Sequence, residues 1–213
     1  GTIGGGIAEH EAIGQAMAML SEPSAAPTRF LSWNLAKDLG MTCAGIVRLF
    51  FEIHNAPRWT VALFGAGHVG SALVKVLVTL DCRVVCFDAR KEWLESLPAS
   101  PNLSRITADP LVKGAEVVPD DAFVLLMTTD HDTDLAVLIE LLRTRSFPYV
   151  GVIGSKGKAR RMREQLAEAG IERAKIDAIV CPMGLPIGTN QPAEIAVSVT
   201  AQLLETRDRL RQK

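Results

Sequence analysis

Short apolar runs recur along most of the chain, each closed by a polar or glycine-rich break and followed by apolar residues three and four apart. Val61-Ala62-Leu63-Phe64 is the clearest run, and residues 60–64 are predicted as a buried strand. Residues 83–87, 104–107, 122–127, 149–153 and 178–181 are the further strand candidates. Between them, Leu73, Val76, Leu77 and Leu80 share one helical face, as do Leu135, Leu138, Ile139 and Leu142. A last helix is predicted from about Pro192, with Ile195, Val199 and Leu203 in one stripe. Pro192 suits a first helical position, and Glu194 in the first turn suits the helix dipole. Strands apolar throughout, alternating with amphipathic helices, predict a doubly wound, mainly parallel α/β sheet covered on both faces.

The first quarter of the chain has a different pattern. The glycine run Gly4-Gly5-Gly6 precedes a helical pattern over about residues 7–20. Residues 21–27, with two prolines, read as a turn or linker. Two strand-like runs, 29–35 and 46–54, flank a glycine-containing loop at 39–45, and Asn55-Ala56-Pro57 closes the segment. The expected organisation is therefore a smaller α+β front domain, residues 1–57, and a longer α/β domain, residues 58–213. Residue 1 is Gly and opens directly on a motif, so the front domain is read as truncated at its N-terminus.

Charge and cysteine content narrow the function classes. Lys and Arg number 23 against 24 Asp and Glu. This near balance removes a general basic field, so neither nucleic acid nor an anionic membrane surface is an expected partner. No apolar run approaches the roughly 18 residues of a spanning helix, and no signal-peptide pattern is read. Cys43, Cys82, Cys86 and Cys181 have neither zinc-knuckle spacing nor the density of a disulfide framework, which fits a reducing cytoplasm.

The most specific local signal follows the first buried strand. Gly65-Ala66-Gly67-His68-Val69-Gly70 is a GxGxxG turn between a strand and an amphipathic helix, the context of a Rossmann-like dinucleotide-binding domain. Gly65 serves the tight turn, Gly67 lets a pyrophosphate approach the backbone, and Gly70 lets the helix pack on the strand. The turn's amides and the helix dipole favour an anion. The next strand ends at Asp88, where a carboxylate would meet a ribose diol, and Arg90 lies two residues on, where it would meet a 2′-phosphate. The bland alternative is a turn that binds nothing. Both NAD(P) and a pterin dinucleotide carry a pyrophosphate.

In an open parallel sheet the loops that follow strands share one edge, where ligands sit. Residues 65–70, 88–90, 128–134, 154–156 and 181–188 belong to that edge. Thr128 and His131 are candidate contacts in the third loop. Its carboxylates Asp130, Asp132 and Asp134 could hold Mg²⁺, but helix capping is the favoured reading. In Gly154-Ser155-Lys156, Ser155 is a candidate N-cap and Lys156 a candidate anion contact. A solvated basic face with Arg160, Arg161 and Arg163 is the alternative. Gly184 lies in a stiff loop, Cys181-Pro182-Met183-Gly184-Leu185-Pro186-Ile187-Gly188, suited to walling a ligand, while Cys181 itself is expected to be structural. Cys43, in the front loop, carries a soft thiol suited to molybdenum.

Taken in order, Gly1-Thr2-Ile3-Gly4-Gly5-Gly6-Ile7-Ala8-Glu9, Met41-Thr42-Cys43-Ala44-Gly45, the 65–70 turn with Asp88-Ala89-Arg90, Asp130-His131-Asp132-Thr133-Asp134-Leu135, Val150-Gly151-Val152-Ile153-Gly154-Ser155-Lys156 and the 181–188 loop resemble the xanthine dehydrogenase accessory protein (XdhC/CoxI) family over nearly the whole chain. The resemblance implies a protein that binds molybdenum cofactor (molybdopterin), helps its sulfuration and delivers it to a molybdenum hydroxylase of the xanthine dehydrogenase type. It implies a maturation factor rather than a catalyst, with a cysteine desulfurase and a second copy of the chain as further partners. It also implies a molybdenum contact for Cys43. Three departures stand out: Cys43-Ala44-Gly45 replaces a Cys-Gly-Gly loop, Gly6 stands where some members carry cysteine, and Thr128-Thr129-Asp130-His131 keeps one histidine of a Thr-His-Asp-His motif. The alternatives are an NAD(P)-dependent oxidoreductase, which lacks a Tyr-x-x-x-Lys pair since Tyr149 is the only tyrosine, and a nucleotide sensor using the same crevice.

Overall fold

The computed structural model describes residues 3, 6–21, 28–42, 45–53 and 59–212. The chain divides into two compact units, Gly1–Arg58 and Trp59–Lys213. Cys43 and the segment 55–57 lie outside the described residues.

The front unit consists of helix α1 (Gly6–Ser21) and the antiparallel pair β1 (Thr28–Asn34) and β2 (Ile46–Glu52). Both strands alternate exposed and half-buried residues, as a two-sided ribbon must. Leu31 faces Leu49, and Phe30 faces Phe50 on the opposite, exposed side. Ala8, Ala12 and Met19 of α1 are buried, and Arg29 donates to Gln15 Oε1 at 3.0 Å.

The second unit is a five-stranded, wholly parallel sheet in the order β5-β4-β3-β6-β7. The strands are β3 (Thr60–Phe64), β4 (Arg83–Asp88), β5 (Leu103–Thr107), β6 (Phe123–Leu126) and β7 (Tyr149–Val152). The buried runs of β3, β4, β6 and β7 divide by parity, because successive side chains point to opposite faces, while edge strand β5, after the buried Leu103, alternates half-buried with exposed residues. Ala62, Phe64, Val85, Phe87, Val124, Leu126, Val150 and Val152 pack on one face against α4 (His131–Thr144), α5 (Lys156–Glu168), α6 (Arg173–Asp177) and the 3₁₀ segment Leu111–Val117. Val61, Leu63, Val84, Cys86, Phe123, Leu125 and Tyr149 pack on the other against α2 (His68–Leu77), α3 (Lys91–Glu95) and α7 (Pro192–Arg211). Phe64 and Phe87 stack across β3 and β4 at 4.6 Å. Truncating such a buried ring costs roughly 3–5 kcal/mol. The sheet is thus doubly wound, and β3 and β6 lie side by side where its winding reverses.

The expected strand at 178–181 is reduced to one bridge between Gly151 and Val180. Ala178 closes helix α6, donating its N–H to Ala174 O, and Pro182 has no N–H to extend a ladder. Three short helical segments, α3, α6 and the 3₁₀ turn, escape a periodicity reading because none is long enough to display a stripe. No described helix is long and apolar enough to cross a membrane.

Candidate functional site

The carboxyl edges of β3, β4 and β6 hold the glycine turn at the winding reversal, where open α/β sheets bind ligands. Two of its three glycines are demanded by the fold. Gly65 has φ +106°, and a Cβ there would overlap the carbonyl of Met127. A Cβ on Gly70 would overlap the carbonyl oxygen of Gly65, so α2 could not pack onto the end of β3. Gly67 is different. Among the described residues its Cβ would meet nothing nearer than Arg90 Nη2, at 4.0 Å. Gly67 is also the N-cap of α2, with no side chain capping the first-turn amides. Uncapped amides at a helix start favour an anion.

Beside Gly67 stands a fork of two residues. Asp88 is 4 % exposed at the end of β4. Its Oδ1 accepts from the N–H and the Nε of Arg90, both at 2.9 Å. Its Oδ2 accepts from Arg90 Nη2 at 2.9 Å and from the Ala66 N–H at 2.7 Å. Burial alone would raise this carboxyl, but the bonds from Arg90 and Ala66 outweigh it and hold it below the usual carboxylate range. The Arg90 guanidinium also rests on the Trp93 ring, 5.0 Å from its centroid. A cleft of about 270 Å³ opens here, lined by Gly65, Asp88, Arg90, Asp109, Thr128 and Thr133 among others.

The far side of the cleft begins at the end of β6. Asp130 caps α4, accepting from Thr133 N at 2.8 Å. Asp134, fully buried in the first turn of α4, accepts from Thr128 Oγ1 at 2.7 Å and from Lys158 Nζ at 2.5 Å. Ser155 caps α5 through Lys158 N. The Lys158 stem lies over Gly154, where a Cβ would stand 2.6 Å from Lys158 Cδ. Capping engages Asp130 and the ion pair engages Asp134. Among the described residues no group of three His, Cys, Asp or Glu side chains could hold a metal ion.

Residues 61–203 match the family described as the XdhC Rossmann domain. The chain belongs to this family. It is 29% identical over 214 residues to the uncharacterized protein YqeB of Escherichia coli (strain K12), covering 98% of the present chain and 38% of that protein. It is 27% identical over 156 residues to a probable xanthine dehydrogenase subunit from Bacillus subtilis (strain 168), covering 72% and 44%. A Bacillus halodurans crystal structure described as a xanthine dehydrogenase superposes with a TM-score of 0.60 at 26% identity, covering 78% of this chain and 48% of that one. The chain therefore spans less than half the length of each of these relatives.

Within this XdhC Rossmann domain the sequence-predicted residues scatter around the edge. Gly65, Asp88, Arg90 and Thr128 line one cleft. Ala66 is buried with its N–H on Asp88, and Val69 is half-buried against the core. His68 turns away and lines a groove of about 590 Å³ with Trp93 and Val197, meeting the Trp93 ring edge-on at 5.0 Å. His131 is tied to α5, with Nε2 at 2.5 Å from Gln165 Oε1. Gly154, Ser155 and Lys156 form the start of α5, and Lys156 is exposed. Gly184 packs against Ser198 of α7 and donates its N–H to Gln202 Oε1 at 2.8 Å. Cys181 is half-buried, and burial raises its thiol pKa.

Two features escaped the sequence reading. Asp109, Pro110 and Leu111 line the cleft because the loop after β5 ends at the same edge. The edge rule applied to strand 104–107 points to them. Lys158, rather than Lys156, reaches inward. Its position three residues beyond the capping Ser155 is the available signal.

Proposed function

We propose that this XdhC-family chain holds molybdenum cofactor and passes it to a molybdenum hydroxylase of the xanthine dehydrogenase type. The observation that carries the reading is the space at Gly67. A glycine that the fold does not need, at an uncapped helix start beside a guanidinium, fits the phosphate end of such a cofactor. The relatives described as xanthine dehydrogenase proteins support the choice of client.

In this reading the first-turn amides of α2 and the Arg90 guanidinium grip the anionic end. Asp88 fixes Arg90 and the turn, and Thr128 borders the cleft from β6. Lys158 and Asp134 hold Thr128 in place. The proposed wider edge includes Ala66, Val69, His131, Gly154, Ser155, Lys156 and Gly184. Cys43 is assigned the molybdenum end on its sequence motif and on the affinity of thiolates for soft metals. When bound, the cofactor supplies its molybdenum–sulfur centre to the client. The chain's own work is to bind, orient and shield it, with a cysteine desulfurase as sulfur source and a second copy of the chain as a further partner. A reducing cytoplasm is the matching compartment.

Mass spectrometry of the ligand retained on purification tests this. A phosphorylated pterin is the expected species. A nicotinamide dinucleotide in its place would replace the reading with that of an NAD(P)-dependent oxidoreductase.

A further inference from the structure

We infer that the Asp88–Arg90 fork sets the specificity of the crevice, selecting a ligand that presents a phosphomonoester there and rejecting one that presents a free ribose diol. The inference rests on the crevice being a ligand site and adds which chemical group it takes.

A carboxylate offers about four lone-pair positions. Asp88 has four donors already: the Ala66 N–H, and the N–H, Nε and Nη2 of Arg90. A ribose diol recognised in the usual way needs the same oxygens. It could gain them only by breaking a buried, charge-assisted fork.

The same fork presents the opposite chemistry outward. A guanidinium carries five N–H donors, and the fork to Asp88 uses two. Nη1 has no hydrogen-bond partner among the described residues. The Arg90 side chain is 36% exposed and lines the cleft, and Nη2 stands 4.0 Å from the open Cβ position of Gly67. Asp88 on one edge and the Trp93 ring beneath hold the guanidinium plane still. A pre-oriented guanidinium with donors to spare matches the oxygens of a phosphate. The cleft also contains Asp109, which is exposed, so its repulsion of a phosphate is screened.

The shared ligand chemistry is a dianionic phosphomonoester. It has two sources, the 2′-phosphate of a nucleotide and the terminal phosphate of a pterin. Calorimetric titration of the whole chain with two ligand pairs separates them: adenosine 2′,5′-bisphosphate against adenosine 5′-monophosphate, and a phosphorylated pterin against its dephosphorylated form. The phosphorylated member of at least one pair should bind roughly ten- to a hundredfold more tightly. The pair that shows the preference identifies the source. Arg90→Ala should abolish the preference. Arg90→Gln, which retains a donor for Asp88, should abolish it too, with melting behaviour close to wild type if Arg90→Ala unfolds. Asp109→Asn should strengthen the phosphorylated ligands without removing the discrimination. Equal affinity within both pairs, a preference that survives in folded Arg90→Gln, or no measurable binding of any of the four overturns the inference. Molybdenum cofactor uptake, measured separately, tells that failure from failure of the functional reading.

Discussion

Gly70 stands against the carbonyl oxygen of Gly65, so close that a single added carbon on Gly70 would overlap it. This contact seats α2 on the end of β3, with the helix start at Gly67 beside Arg90. It also separates the glycines by role: Gly65 and Gly70 serve the fold, and Gly67 is left over for something else.

Stability measurements on three alanine variants test that division. Gly65→Ala must place a side chain at φ +106° and against Met127. Gly70→Ala must push α2 off the turn. Each should lose at least roughly 2 kcal/mol in urea unfolding. Gly67→Ala should unfold within about 0.5 kcal/mol of wild type. A loss at Gly67 as large as that at Gly70 would return all three glycines to a purely structural role.

Asp88 makes the acid stability of the domain partly predictable. Its folded pKa is depressed. The stability it contributes is therefore fully present above the unfolded value, about 3.9, and is lost as pH falls through the folded value. Asp88→Asn should be less stable than wild type at neutral pH, and the difference should shrink as pH falls below about 4. A constant difference from pH 7 to pH 2 would show that the charge on Asp88 is not what the fork uses.

The buried pair at the other side of the cleft is expected to be asymmetric. Lys158→Met leaves the fully buried Asp134 without its cation and should cost about 3 kcal/mol. The double variant Lys158→Met with Asp134→Asn should recover part of that loss. Chemical denaturation of the two single variants and the double one gives the coupling. Additive losses would mean that the two side chains do not depend on each other.

The parallel sheet was legible in the sequence because its strands are short apolar runs and the main helices show stripes. Residues 60–64 match β3 to the residue, since a run flanked by Trp59 and a glycine turn has no other way to lie. The last expected strand shrank to the pairing of Val180 with β7, because Ala178 still closes α6 and Pro182 has no N–H to carry the ladder on. The site was half legible. The glycines and Arg90 follow from local spacing, whereas the saturation of Asp88 depends on where Ala66 and the Arg90 side chain point. The Lys158–Asp134 pair joins residues 24 apart on different helices, and no pattern along the chain records it.

Cys43 provides a test of the metal end of the proposal. Cys43→Ser should fold normally and bind phosphate ligands as wild type does, yet lose intact molybdenum cofactor and the ability to activate a cofactor-free hydroxylase. Cys181→Ser should retain both. Equal molybdenum retention by Cys43→Ser and wild type would remove Cys43 from the mechanism.

The central claim, that the glycine turn holds a molybdenum cofactor, meets its most direct test in molybdenum and pterin content after incubation with cofactor and gel filtration. Gly67→Asp is the variant to compare, because a Cβ there clashes with no described residue and the variant sets a carboxylate where the ligand's anion would lie. Wild type should retain molybdenum and pterin together in near-stoichiometric amounts, and Gly67→Asp should retain neither while melting as wild type does. Equal loading of the two proteins, or no loading of wild type, would contradict the account.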